Sequence, residues 1–236
     1  MSIAENIALI RQKMEQAALS CGRDPKTIQL CAATKMNDAN AVRQAIEGGV
    51  DLCGENKVQE LTQKLAENAY EGRPVHFIGH LQTNKIKAVV GKVDMIQSVD
   101  SLRLLTAIDK EADKQGIRQD ILLEVNIGQE ESKSGFTTAQ IREVVEHFED
   151  FSNVRLRGLM AIPPICQNPG ENDKFFLEMY NLSVDITAKN SDNVCVDTLS
   201  MGMSDDFADA IRCGSTMIRV GTAIFGQRIY TKPHQI

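Results

Sequence analysis

Ile28-Gln29-Leu30-Cys31-Ala32-Ala33-Thr34-Lys35-Met36-Asn37 decides the fold, because an apolar, strand-like run ends in a turn that holds no glycine. A doubly wound open sheet needs a Gly-rich fingerprint after its first strand, and Thr34-Lys35-Met36-Asn37 does not supply one. Outward from this run the same alternation repeats, a short β-rich stretch followed by a polar, amphipathic segment carrying Ala and Leu. Strands are predicted at Ile28 to Thr34, Val50 to Gly54, Val75 to Gly79, Met95 to Val99, Ile121 to Asn126, Leu156 to Ile162, Val194 to Ser200 and Met217 to Gly221. Eight βα units at a spacing of roughly 25 residues can close on themselves and remove every exposed edge. The expectation is an α/β chain folded as one (β/α)8 TIM barrel over residues 1–236, with an extra N-terminal helix. No long Pro/Gly/Ser linker or convincing repeat interrupts it, and Pro163-Pro164 with Asn168-Pro169-Gly170 reads as a loop after the sixth strand.

The composition, 42% hydrophobic and 25% charged, is that of a chain able to bury a large core. A formal charge of -6 and a pI near 5.3 argue against nucleic acid or an anionic membrane as partner, since neither polyanion attracts a net-acidic surface. No apolar run approaches the roughly 20 residues that cross a bilayer. The N-terminus reads as an amphipathic helix with acidic residues, unlike a targeting peptide, so a cytoplasmic protein is expected. The six cysteines, Cys21, Cys31, Cys53, Cys166, Cys195 and Cys213, show no metal-ligand spacing and read as reduced thiols. Cys31, Cys53 and Cys195 fall within strand-like runs, where a thiol behaves as a small hydrophobe.

In such a barrel the chemistry gathers at the C-terminal ends of the strands. Those ends carry Lys35, Glu55-Asn56, His80, Ser98, Asn126, Met160, Ser200 through Ser204, and Gly221-Thr222. Lys35 follows an apolar run, which places its ammonium at the mouth with a low-dielectric wall behind it. Desolvation lowers a lysine's pKa and exposes the neutral amine that condenses with an aldehyde. The plainer alternative is a lysine snorkelling from a strand end into water.

Ser200-Met201-Gly202-Met203-Ser204 reads as an anion cradle of small residues and hydroxyls before a helix expected from Asp205. The competing reading is a Ser204 N-cap, which leaves Gly202 unexplained. Gly221 and Thr222 add close backbone approach and a hydroxyl from the last strand, where barrels of this class recurrently bind phosphate. A desolvated lysine and a phosphate cradle across one mouth are the two anchors pyridoxal 5′-phosphate requires. Strand alternation turns Arg219 inward, where it can face the pyridine nitrogen or serve as a salt-bridged barrel residue. An arginine there keeps that nitrogen unprotonated and makes the ring a weak electron sink.

Longer motifs then bear on the chain as a whole: Gly54-Glu55-Asn56-Lys57-Val58-Gln59-Glu60, His76-Phe77-Ile78-Gly79-His80-Leu81-Gln82-Thr83-Asn84-Lys85, Glu130-Glu131-Ser132-Lys133-Ser134-Gly135, Gly158-Leu159-Met160-Ala161-Ile162-Pro163, and the block Leu199 to Gly226. By these the sequence resembles, nearly end to end, the pyridoxal phosphate homeostasis protein family (YggS/PROSC), whose fold is like the N-terminal barrel of alanine racemase. The resemblance implies a monomeric, cofactor-binding protein with the cofactor held as a Schiff base on Lys35 and Asn56 near the ring. It also implies phosphate contacts from Ser200, the Met201 to Ser204 loop (Met201, Gly202 and Ser204 among them), Gly221 and Thr222, with Arg219 facing the ring nitrogen; Met160, from the strand ends, is a further cofactor-binding candidate. Val75, where the family often has tryptophan, and Asn126-Ile127-Gly128-Gln129, in place of a more usual Asn-Ile-Ser-Gly, are mild departures that touch packing and a rim loop.

Three functions compete. An amino-acid racemase needs a second acid/base on the opposite face, which in alanine racemase is a tyrosine tied to a further domain; here the chain ends ten residues past Gly226, with Tyr230 in that tail. A carrier that buffers the cofactor and passes it to PLP-dependent apo-enzymes needs only reversible loading. A barrel with an incidental lysine would load nothing. Lys85 and Lys133 fall on rim loops, where transient cofactor contact competes with simple solvation. His80 is expected to be a hydrogen-bonded structural histidine, no acidic partner being identifiable from sequence.

Overall fold

The alternation becomes eight parallel strands: β1 (Gln29–Ala33), β2 (Leu52–Glu55), β3 (Val75–Phe77), β4 (Met95–Val99), β5 (Gln119–Val125), β6 (Val154–Ala161), β7 (Val194–Ser200) and β8 (Met217–Val220). In the computed structural model, which describes residues 1–130, 133–165, 168–187 and 192–227, they close in sequence order, with β8 pairing back onto β1. The helices are α1 (Ile3–Ser20), α2 (Ala39–Glu47), α3 (Val58–Ala66), α4 (Leu102–Gln115), α5 (Thr138–Glu146), α6 (Asp173–Thr187), α7 (Phe207–Arg212) and α8 (Thr222–Phe225).

Local chemistry sets most helix ends. Ser2 and Glu5 form a reciprocal capping box on α1, Asp38 accepts the Ala41 N–H at the start of α2, and Gly116 closes α4 in the left-handed conformation at φ 64°. One βα unit departs from the expected pattern. The crossover after β3 is a 3-10 helix, Thr83–Ala88, and the β-branched pair Val89-Val90 followed by Gly91 at φ 71° ends it before an α-helix is established.

Burial separates two cores. Outward-facing strand residues such as Ile96, Ile218 and Val220 join the helices in one large apolar cluster. Inside the barrel, Cys31, Leu52 and Met217 form one small group and Met95, Leu122 and Met160 another. These apolar side chains, four of them sulfur-bearing, share the lumen with buried His76, Gln97, Ser200 and Arg219. The extra helix α1 lies outside the closure, packed on α2, α7 and α8. There the Asn6 amide donates to Ile224 O at 2.8 Å, and beyond the helix Arg23 donates to Ile211 O at 2.6 Å.

Cys195 departs from expectation, being exposed because the first half of β7 leaves alternate residues to solvent. Cys31 and Cys53 are buried free thiols, and Cys166 lies outside the described residues. Among the described residues no helix is long and apolar enough to cross a membrane.

Candidate functional site

β1 delivers Lys35 to the barrel mouth on a turn fixed from every side. The Thr34 N–H donates to Gly54 O at 2.9 Å, the Asn37 N–H to Thr34 O at 3.2 Å, and the Asn37 amide to Lys35 O at 3.1 Å. Met36 takes φ 62°, in the left-handed region a branched-free side chain tolerates at some cost, and its N–H donates to Glu60 Oε2 at 2.6 Å. Beneath the turn is a buried network that nothing in the sequence announced. Glu55, fully buried, takes hydrogen bonds on Oε1 from Thr34 Oγ1 (2.5 Å), Lys64 Nζ (2.6 Å) and the Tyr70 hydroxyl (3.3 Å), while its Oε2 has no partner. Lys64 also donates to Thr34 O at 2.8 Å. Burial beside the Glu55 carboxylate pushes the Tyr70 hydroxyl well above its ordinary value, so Tyr70 stays neutral.

Lys35 lines two adjoining cavities that share Ala33, Gly221 and Thr222. One, of about 260 Å³, runs past Met36 and Asn37 to Phe225. The other, of about 200 Å³, brings in Asn56, Ile78, Ile162, Met203, Ser204, Asp205 and Arg219. Thus Lys35, Asn56, Ser204, Arg219, Gly221 and Thr222 converge on one space. The Asn56 Oδ1 atom is buried without a partner beside it. Gly79 holds that residue in place, since an added Cβ there would stand 2.2 Å from Asn56 O.

The loop after β7 differs from the expectation in three respects. First, α7 begins at Phe207, not Asp205, and Ser204 is not its cap; the Ser204 Oγ accepts the Ala223 N–H at 3.3 Å, tying this loop to α8. The Met203 N–H donates to Asp206 Oδ1 at 2.7 Å, so a carboxylate of the chain itself occupies that turn. Second, Gly202 has a reason within the fold: it sits at φ 92°, a Cβ would meet Ala210 Cβ at 2.6 Å, and its carbonyl accepts the Arg219 N–H at 3.0 Å. Third, the Met201 side chain is fully buried in the outer core, leaving only its backbone near the mouth. Gly221 is the opposite case, an added Cβ meeting only Ala33 at an ordinary 3.4 Å.

Met160, in register with Ser200, is buried inside the barrel against Met95 and Leu122 and does not line either cavity, so its expected place at the site is not where the structure puts it. Arg219, inward-facing as alternation predicts, is 5% exposed. It donates to Ser200 Oγ at 2.6 Å and to Ala161 O at 2.9 Å. The Ser200 hydroxyl in turn donates to Gln97 Oε1 at 2.7 Å, and Gln97 Nε2 lies 2.8 Å from His76 Nδ1. Burial drives the His76 pKa down to about 4, so the ring is neutral near pH 7.

The remaining strand-end residues shape the rim. Ser98 donates to Gly79 O, and Asn126 bonds Glu130 and Lys133 backbone to fold the loop after β5. His80 has as its partner Asp100 after β4, at 3.0 Å, a residue the sequence alone did not point to. Glu124, on β5, was not singled out from sequence; burial, then the nearby Asp100 charge, raises its pKa to about 7 against the pull of Arg219. Lys133 pairs with Glu130 at 2.6 Å, and Lys85 is exposed on the 3-10 helix. Glu131, Ser132 and Tyr230 lie outside the described residues. Among the described residues no group of three or more His, Cys, Asp or Glu side chains is placed to hold a metal ion.

Residues 2–229 match the family model for the alanine racemase N-terminal domain. The chain is 39% identical over 233 residues to the pyridoxal phosphate homeostasis protein of Escherichia coli K12, covering 98% of each chain. It is 37% identical over 230 residues to the protein of the same name from Aquifex aeolicus, covering 98% of this chain and all of that one. Among solved structures, PipY of Synechococcus elongatus PCC7942, determined with PLP bound, superimposes with a TM-score of 0.82 at 31% identity, covering 95% of this chain and 100% of that one.

Proposed function

The chain belongs to the alanine racemase N-terminal domain family and, within it, to the pyridoxal phosphate homeostasis proteins, and from that premise we propose that it binds pyridoxal 5′-phosphate reversibly on Lys35 and keeps the free cofactor in reserve. The observation that carries this reading is the convergence of Lys35, Asn56, Arg219 and the Ser204 and Gly221-Thr222 loops on one cavity. Its donors suit the cofactor: two cationic side chains, and in Asn56 a buried polar atom without a partner in the protein. The bareness of Gly221, which packing does not demand, leaves room for an anion.

When bound, the cofactor supplies an aldehyde that condenses with an amine. The roles of the chain's own residues follow from their places. Lys35 offers the amine as a Schiff base partner, and its turn is fixed through Thr34 by Glu55 and Lys64. Gly202 and Ser204, with Gly221 and Thr222, receive the phosphate; Ser200 and Met201 contribute from below, through the support of Arg219 and through backbone. Asn56 would meet the ring edge and Arg219 would donate to an unprotonated ring nitrogen, with Met160 packed inside the barrel away from the cavity lining. A ring held in that state is a poor electron sink, which favours storage over turnover.

The same reading has the protein act as a monomer in the cytoplasm and release cofactor to PLP-dependent apo-enzymes. Against a racemase, neither described tyrosine is placed as a second base: Tyr70 is buried on Glu55 and Tyr180 is exposed on α6. The test is an absorbance spectrum of purified protein with added cofactor, before and after borohydride, repeated for Lys35→Ala. A reducible adduct lost with Lys35 supports the proposal, and an adduct that persists in Lys35→Ala refutes it. Racemisation of alanine by the loaded protein would overturn the storage role.

A further inference from the structure

A single file of hydrogen bonds crosses the barrel lumen from the cavity to its far wall: Arg219, Ser200, Gln97, His76. All four side chains are buried, Ser200 and Gln97 completely. The chemistry of each link fixes its direction. Guanidinium groups only donate, so the Ser200 oxygen accepts from Arg219 and its one hydrogen is left for Gln97 Oε1. The Gln97 amide then presents its nitrogen to the other side, where it also contacts Met217 Sδ at 3.1 Å, an atom that accepts and does not donate. Its remaining partner, His76 Nδ1, must therefore accept, which puts the imidazole proton on Nε2. Asp94, Asp120 and Arg157 are the charged groups that His76 senses, and burial outweighs the two carboxylates, leaving the ring neutral.

Arg219 needs such support. It is a buried cation that also donates to a backbone carbonyl, Ala161 O, and a guanidinium without fixed acceptors turns to whatever oxygen is near. We propose that Gln97 and His76 are positioning residues for the cofactor site: through Ser200 they lock the Arg219 guanidinium so that its free edge faces the cavity as a permanent donor to an unprotonated ring nitrogen. The proposal rests on the reading of the cavity as a pyridoxal 5′-phosphate site. It extends the site across the barrel to two residues, on β3 and β4, that do not line the cavity.

The test uses the full chain and Gln97→Met, which keeps the side-chain length and removes both polar atoms. In unliganded wild-type protein, nitrogen NMR of the imidazole at pH 7 should show His76 protonated on Nε2 alone. A proton on Nδ1 overturns the direction of the chain whether or not any cofactor binds. In Gln97→Met the borohydride-reducible adduct on Lys35 should still form. Its absorbance maximum and the pH midpoint of its chromophore should shift, and the apparent Kd for pyridoxal 5′-phosphate should rise about tenfold or more, the effect of losing one hydrogen bond to a charged group. Conservative rescue by Gln97→Glu should restore most of that affinity while moving the His76 proton onto Nδ1. A Kd within about twofold of wild type, with an unmoved midpoint, would sink the proposal. If wild-type protein forms no reducible adduct, the cofactor reading fails and the imidazole measurement still decides the chain. Should Gln97→Met not fold, His76→Phe, which removes the last acceptor of the chain, carries the same decision through the Kd and the chromophore midpoint.

Discussion

Replacing Lys64 with methionine takes one cation from beneath the Lys35 turn and leaves Glu55 buried with two of the three hydrogen bonds on its Oε1, those from Thr34 and Tyr70. In the native chain Lys64, itself 4% exposed, satisfies both Glu55 Oε1 and Thr34 O. Glu55 Oε2 already has no partner. Breaking a buried pair by removing one member costs about 3–5 kcal/mol, because the surviving charge stays desolvated. With a urea dependence near 3 kcal/mol per M for a domain of this size, the unfolding midpoint should fall by about 1–1.7 M. The added change Glu55→Gln removes the stranded charge, so the double variant should recover at least about 1 kcal/mol relative to the sum of the two single losses. Urea titrations followed by far-ultraviolet circular dichroism measure all four proteins. A Lys64→Met chain within about 1 kcal/mol of wild type, or strictly additive losses, would refute the argument that this pair holds the turn.

Further outcomes follow from the same structure. Gly202→Ala forces a Cβ into Ala210 at φ 92° and should weaken both stability and cofactor retention, read by thermal unfolding and by dialysis of loaded protein. Glu124 has a folded-state pKa of about 7 against an ordinary 4.5, so folding binds extra protons between those values and stability falls as pH rises through that window. Glu124→Gln should remove that loss and unfold at higher urea than wild type at pH 8, with the gap narrowing at pH 5; an unchanged gap would contradict it. His76 acts with the opposite slope, its contribution intact above about 6.5 and lost as pH falls toward about 4. Cys31 and Cys53, whose thiols burial pushes far up, should resist a thiol reagent in native protein and react on unfolding, as read by peptide mass spectrometry.

The barrel was legible because its signals are local and repeated: β4 and β7 fall where the apolar runs place them, and Arg219 turns inward by strand alternation alone. The Lys35 end of the site was legible for the same reason, since strand ends point to the mouth. What escaped the sequence depends on partners distant along the chain. Glu55, Lys64 and Tyr70 meet only after α3 packs on β2, and nothing marks Lys64 on an amphipathic helix as the buried one of its lysines. Asp100 escaped as the partner of His80 for the same reason. The packing demand on Gly202 escaped too, because its fit against Ala210 and Phe207 is invisible in one dimension.

The lacing of the barrel is uneven: β5 and β6 share seven register pairs, whereas β7 and β8 share one, Ser200 with Met217, flanked by a few loop hydrogen bonds. That seam carries the proposed cradle on its rim, and Lys35 follows the neighbouring β1, at the other extreme of the chain. On the proposed reading, a nascent polypeptide would expose Lys35 long before the loops after β7 and β8 could grip an anion, and a bound cofactor would act as a clasp across that join, favouring the closed ring by mass action.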